Sequence, residues 1–238
     1  METGKLVLIR HGQTAWARDG FYTGRTNLPL TDQGIEEARV ARKNLYDIKP
    51  DIIYVSPLKR AQQTAQLIGF DGYTTEPLVQ EMDYGPIEGR SIPEATEAKT
   101  RFWGEDKGEW NLFDDGVFFD TAFLGPVPES RLVYDKDLRS SVPVSTLPGE
   151  TIQEVAGRGQ RMIYKVLPDL YKGKTVCIVA HAHFLRYLTT QWIGVHPKYA
   201  QNFFLNTASV SVLELGPRDE RLIYSWNRVP LLDSVLAS

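Results

Sequence analysis

The sequence predicts an α/β fold: a three-layer sandwich in which a mostly parallel central sheet is flanked by helices, with an irregular lid inserted into it. Two observations carry this. Short apolar runs alternate with longer segments of helical periodicity, the pattern of a parallel sheet whose crossover helices cover both faces. In addition, the apolar runs end in residues able to hold an anion, at the carboxyl ends where open sheets place their ligands.

Taken in order, residues 5–9 (KLVLI) read as a buried strand that Gly12 breaks, leaving Arg10 and His11 at its end. A helix over 32–45 follows, with Thr31 available as its cap. Residues 52–55 form a second strand, Ser56-Pro57 start a helix over 58–68, and Arg60 lies in its first turns, where helix N–H groups favour anions. The acidic stretch EMDYGPIEG at 81–89, broken by Gly85 and Pro86, reads as a loop that places a carboxylate. Residues 94–148 break the rhythm: aromatics, prolines, Asp114-Asp115-Gly116 and the arginines 101, 131 and 139 occur there without sustained periodicity. Such a stretch reads as a lid or as a packing flap. A helix over 151–170 opens with a capping box, Thr151 and Glu154. A strand over 175–179 then delivers His181, and a helix over 184–192 follows. Runs 209–215 and 221–227, separated by GPRDE, predict a hairpin added to the sheet. No repeat or linker divides the chain, so a single domain over 1–238 is expected.

Bulk composition narrows the function. A chain of 238 residues with 42% hydrophobic content can bury a substantial core. Its net charge of −3 gives no electrostatic footprint for nucleic acid or an anionic membrane. The amino terminus enters the first strand directly, with no signal peptide or membrane-length apolar run, so a cytoplasmic protein is expected. Cys177 is the single cysteine, which excludes an intrachain disulfide and predicts a buried, inert thiol. His181-Ala182-His183 has the look of half a metal site, but no third ligand stands at a characteristic spacing, so no metal is expected. If the strand persisted through His183, the two rings would face opposite sides, and His183 would pack or hydrogen-bond behind the pocket. His196, in GVHPK, reads as a loop residue.

Two strand-end histidines, 11 and 181, with arginines near each, suit phosphoryl transfer. That reaction spreads negative charge over three oxygens, so it needs positioned cations more than covalent help. A neutral imidazole is a competent nucleophile, and neighbouring arginines keep it unprotonated provided its other nitrogen donates to an acceptor. One carboxyl group can protonate the leaving oxygen and later deprotonate water. Glu81 is the first candidate, with Asp83 and Glu88 as alternatives in the same loop.

Six segments in order resemble the histidine phosphatase superfamily, which includes cofactor-dependent phosphoglycerate mutases, fructose-2,6-bisphosphatase-type domains and sugar-phosphate phosphatases. They are RHGQT (10–14), YTGRTNLPLTDQG (22–34), SPLKRAQQTA (56–65), EMDYGPIEG (81–89), PGETIQEV (148–155) and AHAHFLR (180–186). The resemblance implies that His11 is the nucleophile that becomes phosphorylated and that Arg10, Arg60 and His181 hold the phosphoryl oxygens. It further implies Glu81 as proton donor, and Thr23, Gly24 and Ala182 as substrate-binding positions. Two positions depart from the pattern: Ala17 stands where mutase-like members usually carry asparagine, and Ala182 where glycine usually follows the second histidine. The implied activity is metal- and cofactor-independent hydrolysis of a small phosphomonoester, with segments 22–31 and 81–89 most similar to sugar-phosphate phosphatases, including the sedoheptulose-bisphosphatase type. Mutase-type transfer, or a binding module without chemistry, are the alternatives.

Overall fold

The computed structural model describes residues 4–45, 48–103, 111–115, 130–135, 137–145 and 149–229. Its main sheet has six strands: β1 (Lys5–Arg10), β2 (Ile52–Val55), β3 (Thr74–Thr75), β6 (Thr175–Ala180), β7 (Val210–Leu215) and β8 (Arg221–Arg228). They lie in the order β3-β2-β6-β1-β7-β8. The first four are mutually parallel, and the predicted hairpin β7-β8 adds an antiparallel edge. β4 (Ser130–Asp135) and β5 (Ser140–Ser145) form a separate antiparallel hairpin inside the insertion.

Side-chain alternation explains why the strands read as continuous apolar runs: both faces are covered. Leu6, Leu8, Val176 and Ile178 face α6 (Ile152–Leu170) and α7 (Ala182–Ile193), packing with Met162, Val166, Phe184 and Leu188. Val7, Ile9, Val55, Cys177 and Val179 face α2 (Asp32–Asn44) and α3 (Lys59–Ile68), packing with Ala41, Ala61, Ala65 and Ile68. Each such aliphatic side chain contributes about 1.5–3 kcal/mol when buried, so truncating Leu8, 1% exposed, would strike the centre of the sheet. Cys177 is buried as expected, and burial pushes its thiol pKa up.

The capping box of α6 is present, Thr151 accepting from Glu154 N–H and Glu154 reaching back, and Thr31 caps α2 through Gly34 N–H. The strands and long helices fall within one or two residues of the sequence expectation, with one consequential difference. Here β6 ends at Ala180, His181 is the cap residue, and the helix begins at Ala182. Alternation along a strand therefore does not govern His183.

The insertion is more regular than its sequence suggests. Beyond α1 (Ala15–Asp19), the described residues include α4 (Ile92–Trp103), α5 (Leu112–Asp115) and the β4-β5 hairpin. Ile92, Thr96, Leu112 and Phe113 line a cavity, as a lid requires. Val133, Val142 and Val144 of the hairpin instead pack on Trp16 and Leu28, as a flap would, and Arg18 pairs with Asp137 at 3.1 Å. Of the arginines noted there, Arg139 sits exposed at the hairpin turn, whereas the side chains of Arg101 and Arg131 lie outside the described residues.

Candidate active site

Register brings the two histidines together. β1 and β6 are neighbours in parallel, pairing Arg10 with Ala180, so the next residues, His11 and His181, emerge side by side at one edge. Their ring centroids are 5.1 Å apart. After His11 the chain turns at Gly12, whose N–H donates to Thr64 Oγ1 at 3.0 Å and where a Cβ would lie 2.3 Å from the Gly34 carbonyl oxygen. Glycine is required there by close approach to the start of α2.

The tautomer of His11 is fixed by its surroundings. Nδ1 lies 2.7 Å from the Gly12 carbonyl oxygen, which can only accept, so Nδ1 carries the proton and Nε2 keeps its lone pair. That Nε2 faces the Nε–H of Arg60 at 3.2 Å. The His11 pKa is held well below the ordinary histidine value, first by burial and then by the charges of Arg60 and Arg10. Burial thus outranks the arginines that the sequence pointed to.

Arg10 borders the cavity; its Nη1 donates to the Leu205 carbonyl at 2.6 Å, while its buried Nε has no partner among the described residues. Arg10 thus keeps one buried N–H unbonded on a side chain that borders the cavity. Arg60 is different. It is fully buried, and its guanidinium donates to the carbonyls of Thr26 (2.9 Å), Thr23 (3.1 Å) and Gly24 (2.8 Å). Its Nε–H is shared between His11 Nε2 and His181 Nδ1, both at 3.2 Å. Burial lowers its pKa to about 10, which leaves it charged at neutral pH.

His181 lies behind His11: Nδ1 accepts from Arg60, and Nε2 then carries the proton toward Ser56 Oγ at 2.7 Å. Arg60 and His181, expected to hold phosphoryl oxygens, are bonded here to His11, to each other and to neighbouring protein groups. Their polar atoms are used in orienting His11 and one another, whereas Arg10, His11, Thr23, Glu81 and Ala182 border the cavity of about 700 Å³. Gly24 belongs with Arg60, its N–H going to Glu88 at 2.9 Å and its carbonyl to the guanidinium.

Glu81, 4% exposed, sits at the amino end of α7. Oε1 accepts from Met82 N–H and Phe184 N–H, and Oε2 from His183 N–H at 3.2 Å, making Oε2 the less committed oxygen. His183 also borders the cavity and bonds the Tyr84 hydroxyl through Nδ1, which corrects its expected place behind the pocket; the early start of α7 is the reason.

Glu88, an alternative acid in the sequence, has a different task here, and Arg158 escaped the sequence reading altogether. Glu88 accepts from the N–H groups of Gly24 and Thr26 at 2.9 Å each and so shapes the loop whose carbonyls hold Arg60; burial raises its pKa. Arg158 of α6 pairs with Glu150 at 2.7 Å and donates to the carbonyls of Leu78, Gln80 and Glu81, anchoring the strap that presents Glu81. A signal for Arg158 existed: it occupies the apolar stripe of its helix between Val155 and Met162, where a charge needs a buried partner. Among the described residues no cluster of three His, Cys, Asp or Glu side chains has metal-binding geometry, and no helix is long and apolar enough to cross a membrane.

Known proteins resemble this chain over most of its length. A Mycobacterium tuberculosis acid phosphatase is 27% identical over 87% of this chain and 85% of its own length. A 2,3-bisphosphoglycerate-dependent phosphoglycerate mutase of Bartonella quintana is 32% identical over 80% of this chain and 82% of its own. The solved structure of an open-reading-frame product of Mycobacterium tuberculosis superposes with a TM-score of 0.74 at 25% identity, covering 96% of this chain and 99% of that one. The profile of the histidine phosphatase superfamily (branch 1) matches residues 6–116 and 128–228, and the chain, an enzyme of histidine-phosphatase type, belongs to that family.

Proposed function

We propose that the protein moves the phosphoryl group of a small phosphomonoester, such as a sugar phosphate, first to His11 and then to water, without a metal ion. The observation that carries this reading is the His11 ring, with Nδ1–H tied to a carbonyl and Nε2 unprotonated, on a cavity that Arg10 also borders.

In the first half-reaction the Nε2 lone pair forms the N–P bond as the ester P–O bond breaks, and Glu81 Oε2–H gives its proton to the leaving oxygen. Arg10 and the Ala182 N–H at the amino end of α7 receive phosphoryl oxygens. Arg60 Nε–H, which faces Nε2 beforehand, turns to the phosphoryl oxygen that arrives there, while His181 keeps it aligned. In the second half-reaction Glu81 takes a proton from water, the water oxygen bonds phosphorus, and the N–P bond breaks.

A mutase reading shares the first half and returns the group to another hydroxyl of the bound product; the similarity to the Bartonella quintana enzyme favours it. Hydrolysis is favoured by the described cavity wall, where Arg186 already bonds the carbonyls of Ala200 and Gln201 and Ala17 offers no side-chain donor. A phosphoglycerate retained through two transfers needs cations for both its carboxylate and its second phosphate. Incubation with 3-phosphoglycerate separates the two: stoichiometric inorganic phosphate supports hydrolysis, and 2-phosphoglycerate without phosphate release supports the mutase.

A further inference from the structure

His183 lies in the first turn of α7, and its backbone N–H donates to Glu81. Its ring stands edge-on to Tyr84 at 5.6 Å between centroids and against Phe113 at 5.4 Å. The direction of the bond between its Nδ1 and the Tyr84 hydroxyl follows from the phenol. Tyr84 is 2% exposed, and among the described residues its hydroxyl has no other hydrogen-bond partner. A buried O–H without an acceptor is strongly disfavoured, so the phenol donates and Nδ1 accepts. In a neutral ring the proton then sits on Nε2. Burial, with Arg186 and Arg10 nearby, keeps the ring neutral. Nε2 makes no hydrogen bond among the described residues, on a side chain that borders the cavity.

We propose that His183 is a specificity-determining residue whose Nε2–H donates to a hydroxyl or carboxylate oxygen of the leaving group near the scissile ester bond, with Tyr84 as the positioning residue that fixes its tautomer. The pocket accordingly prefers phosphorylated polyols and hydroxy acids to phosphate esters of plain alkyl chains. This rests on the phosphomonoester reading of the same cavity, but not on whether water or a second hydroxyl is the final acceptor.

Glycerol 1-phosphate and propyl phosphate have equal chain length and differ in two hydroxyls. Their binding is to be measured by calorimetry in a His11→Asn background, where no phosphohistidine forms and neither ligand is consumed. With His183 present, glycerol 1-phosphate is expected to bind about tenfold tighter. His183→Leu should abolish that preference and leave propyl phosphate within twofold. His183→Gln, which keeps a donor, should restore part of it, and Tyr84→Phe, which frees the tautomer, should reduce it. No preference in the intact pocket, a preference that survives His183→Leu, or equal weakening of both ligands would overturn the proposal. Failure of the wider reading shows separately, as the absence of phosphate on His11 in the wild-type enzyme.

Discussion

The floor and the outer wall of the cavity are built on opposite principles. On the floor, Arg60, His181 and Glu88 bond other protein groups, and these bonds exist before any ligand arrives. The outer wall is apolar and partly open, with Phe21, Leu112 and Phe113 inside and Ile92 and Phe204 at the mouth, 56% and 67% exposed. A floor bonded in advance stabilises charge with little reorganisation, whereas an apolar wall open at its mouth selects among leaving groups. Substitutions on the floor should therefore change kcat and stability together, and substitutions on the wall should change KM for particular substrates.

The sharpest way to break this contrast is Arg60→Leu, which strips three carbonyls and two imidazoles of their shared donor. Urea unfolding should register a loss of about 3–5 kcal/mol, and turnover should fall roughly a thousandfold. Arg60→Lys, which keeps charge but not the fork, should recover stability more than rate; recovery of full activity would mean that the fork geometry is dispensable.

Next in size is Glu81→Gln, expected to slow hydrolysis of sugar phosphates by about a hundredfold. An aryl phosphate, whose leaving group needs little protonation, should still give a burst of phenol followed by slow turnover. Equal slowing of burst and steady state would move the acid to Asp83 or another group.

The floor also predicts the response to acid. His11, His181 and His183 all have pKa values depressed by burial in the folded state. The unfolded chain takes up protons near pH 6.5 while the folded protein does not, so their contribution is fully present above that value. It is lost as pH falls from there toward the folded values, at up to about 1.4 kcal/mol per pH unit for each histidine. Unfolding midpoints between pH 7.5 and 5 should fall accordingly, while the His11 phosphorylation rate shows no inflection near 6.5. A rate that halves near 6.5 would place an ordinary histidine at the nucleophile position.

The smallest effect belongs to the wall. Phe204→Ser should raise KM for bulky leaving groups by roughly tenfold or less and leave stability within about 0.5 kcal/mol. Phosphorylation of His11 by acetyl phosphate, too small to reach the mouth, should be unchanged; a parallel loss there would dissolve the distinction between floor and wall.

The same contrast governs what the sequence could reveal. LVLIRHG and TVCIVAHAH announce strands, strand ends and histidines together, because short-range pattern and parallel pairing suffice to place them. Arg60 was legible as a site residue, but its carbonyl partners were not, since they lie 34 to 37 residues away along the chain on a loop shaped by Glu88. His183 lies behind the pocket only if the strand runs through it, three residues past its actual end at Ala180, and the pattern of apolar residues does not show that the helix starts at Ala182. The insertion was hardest to read: its helices and hairpin pack on Trp16 and around the cavity rather than showing a periodicity of their own.

The account's central claim is that His11 Nε2 is the phosphoryl acceptor, and rapid-quench labelling with a ³²P-phosphomonoester tests it most directly. The predicted result is an acid-labile, base-stable phosphoryl group on His11 that forms at least as fast as turnover and is absent in His11→Asn, which should also be inactive. Label on another residue, or substantial turnover by His11→Asn, would contradict it.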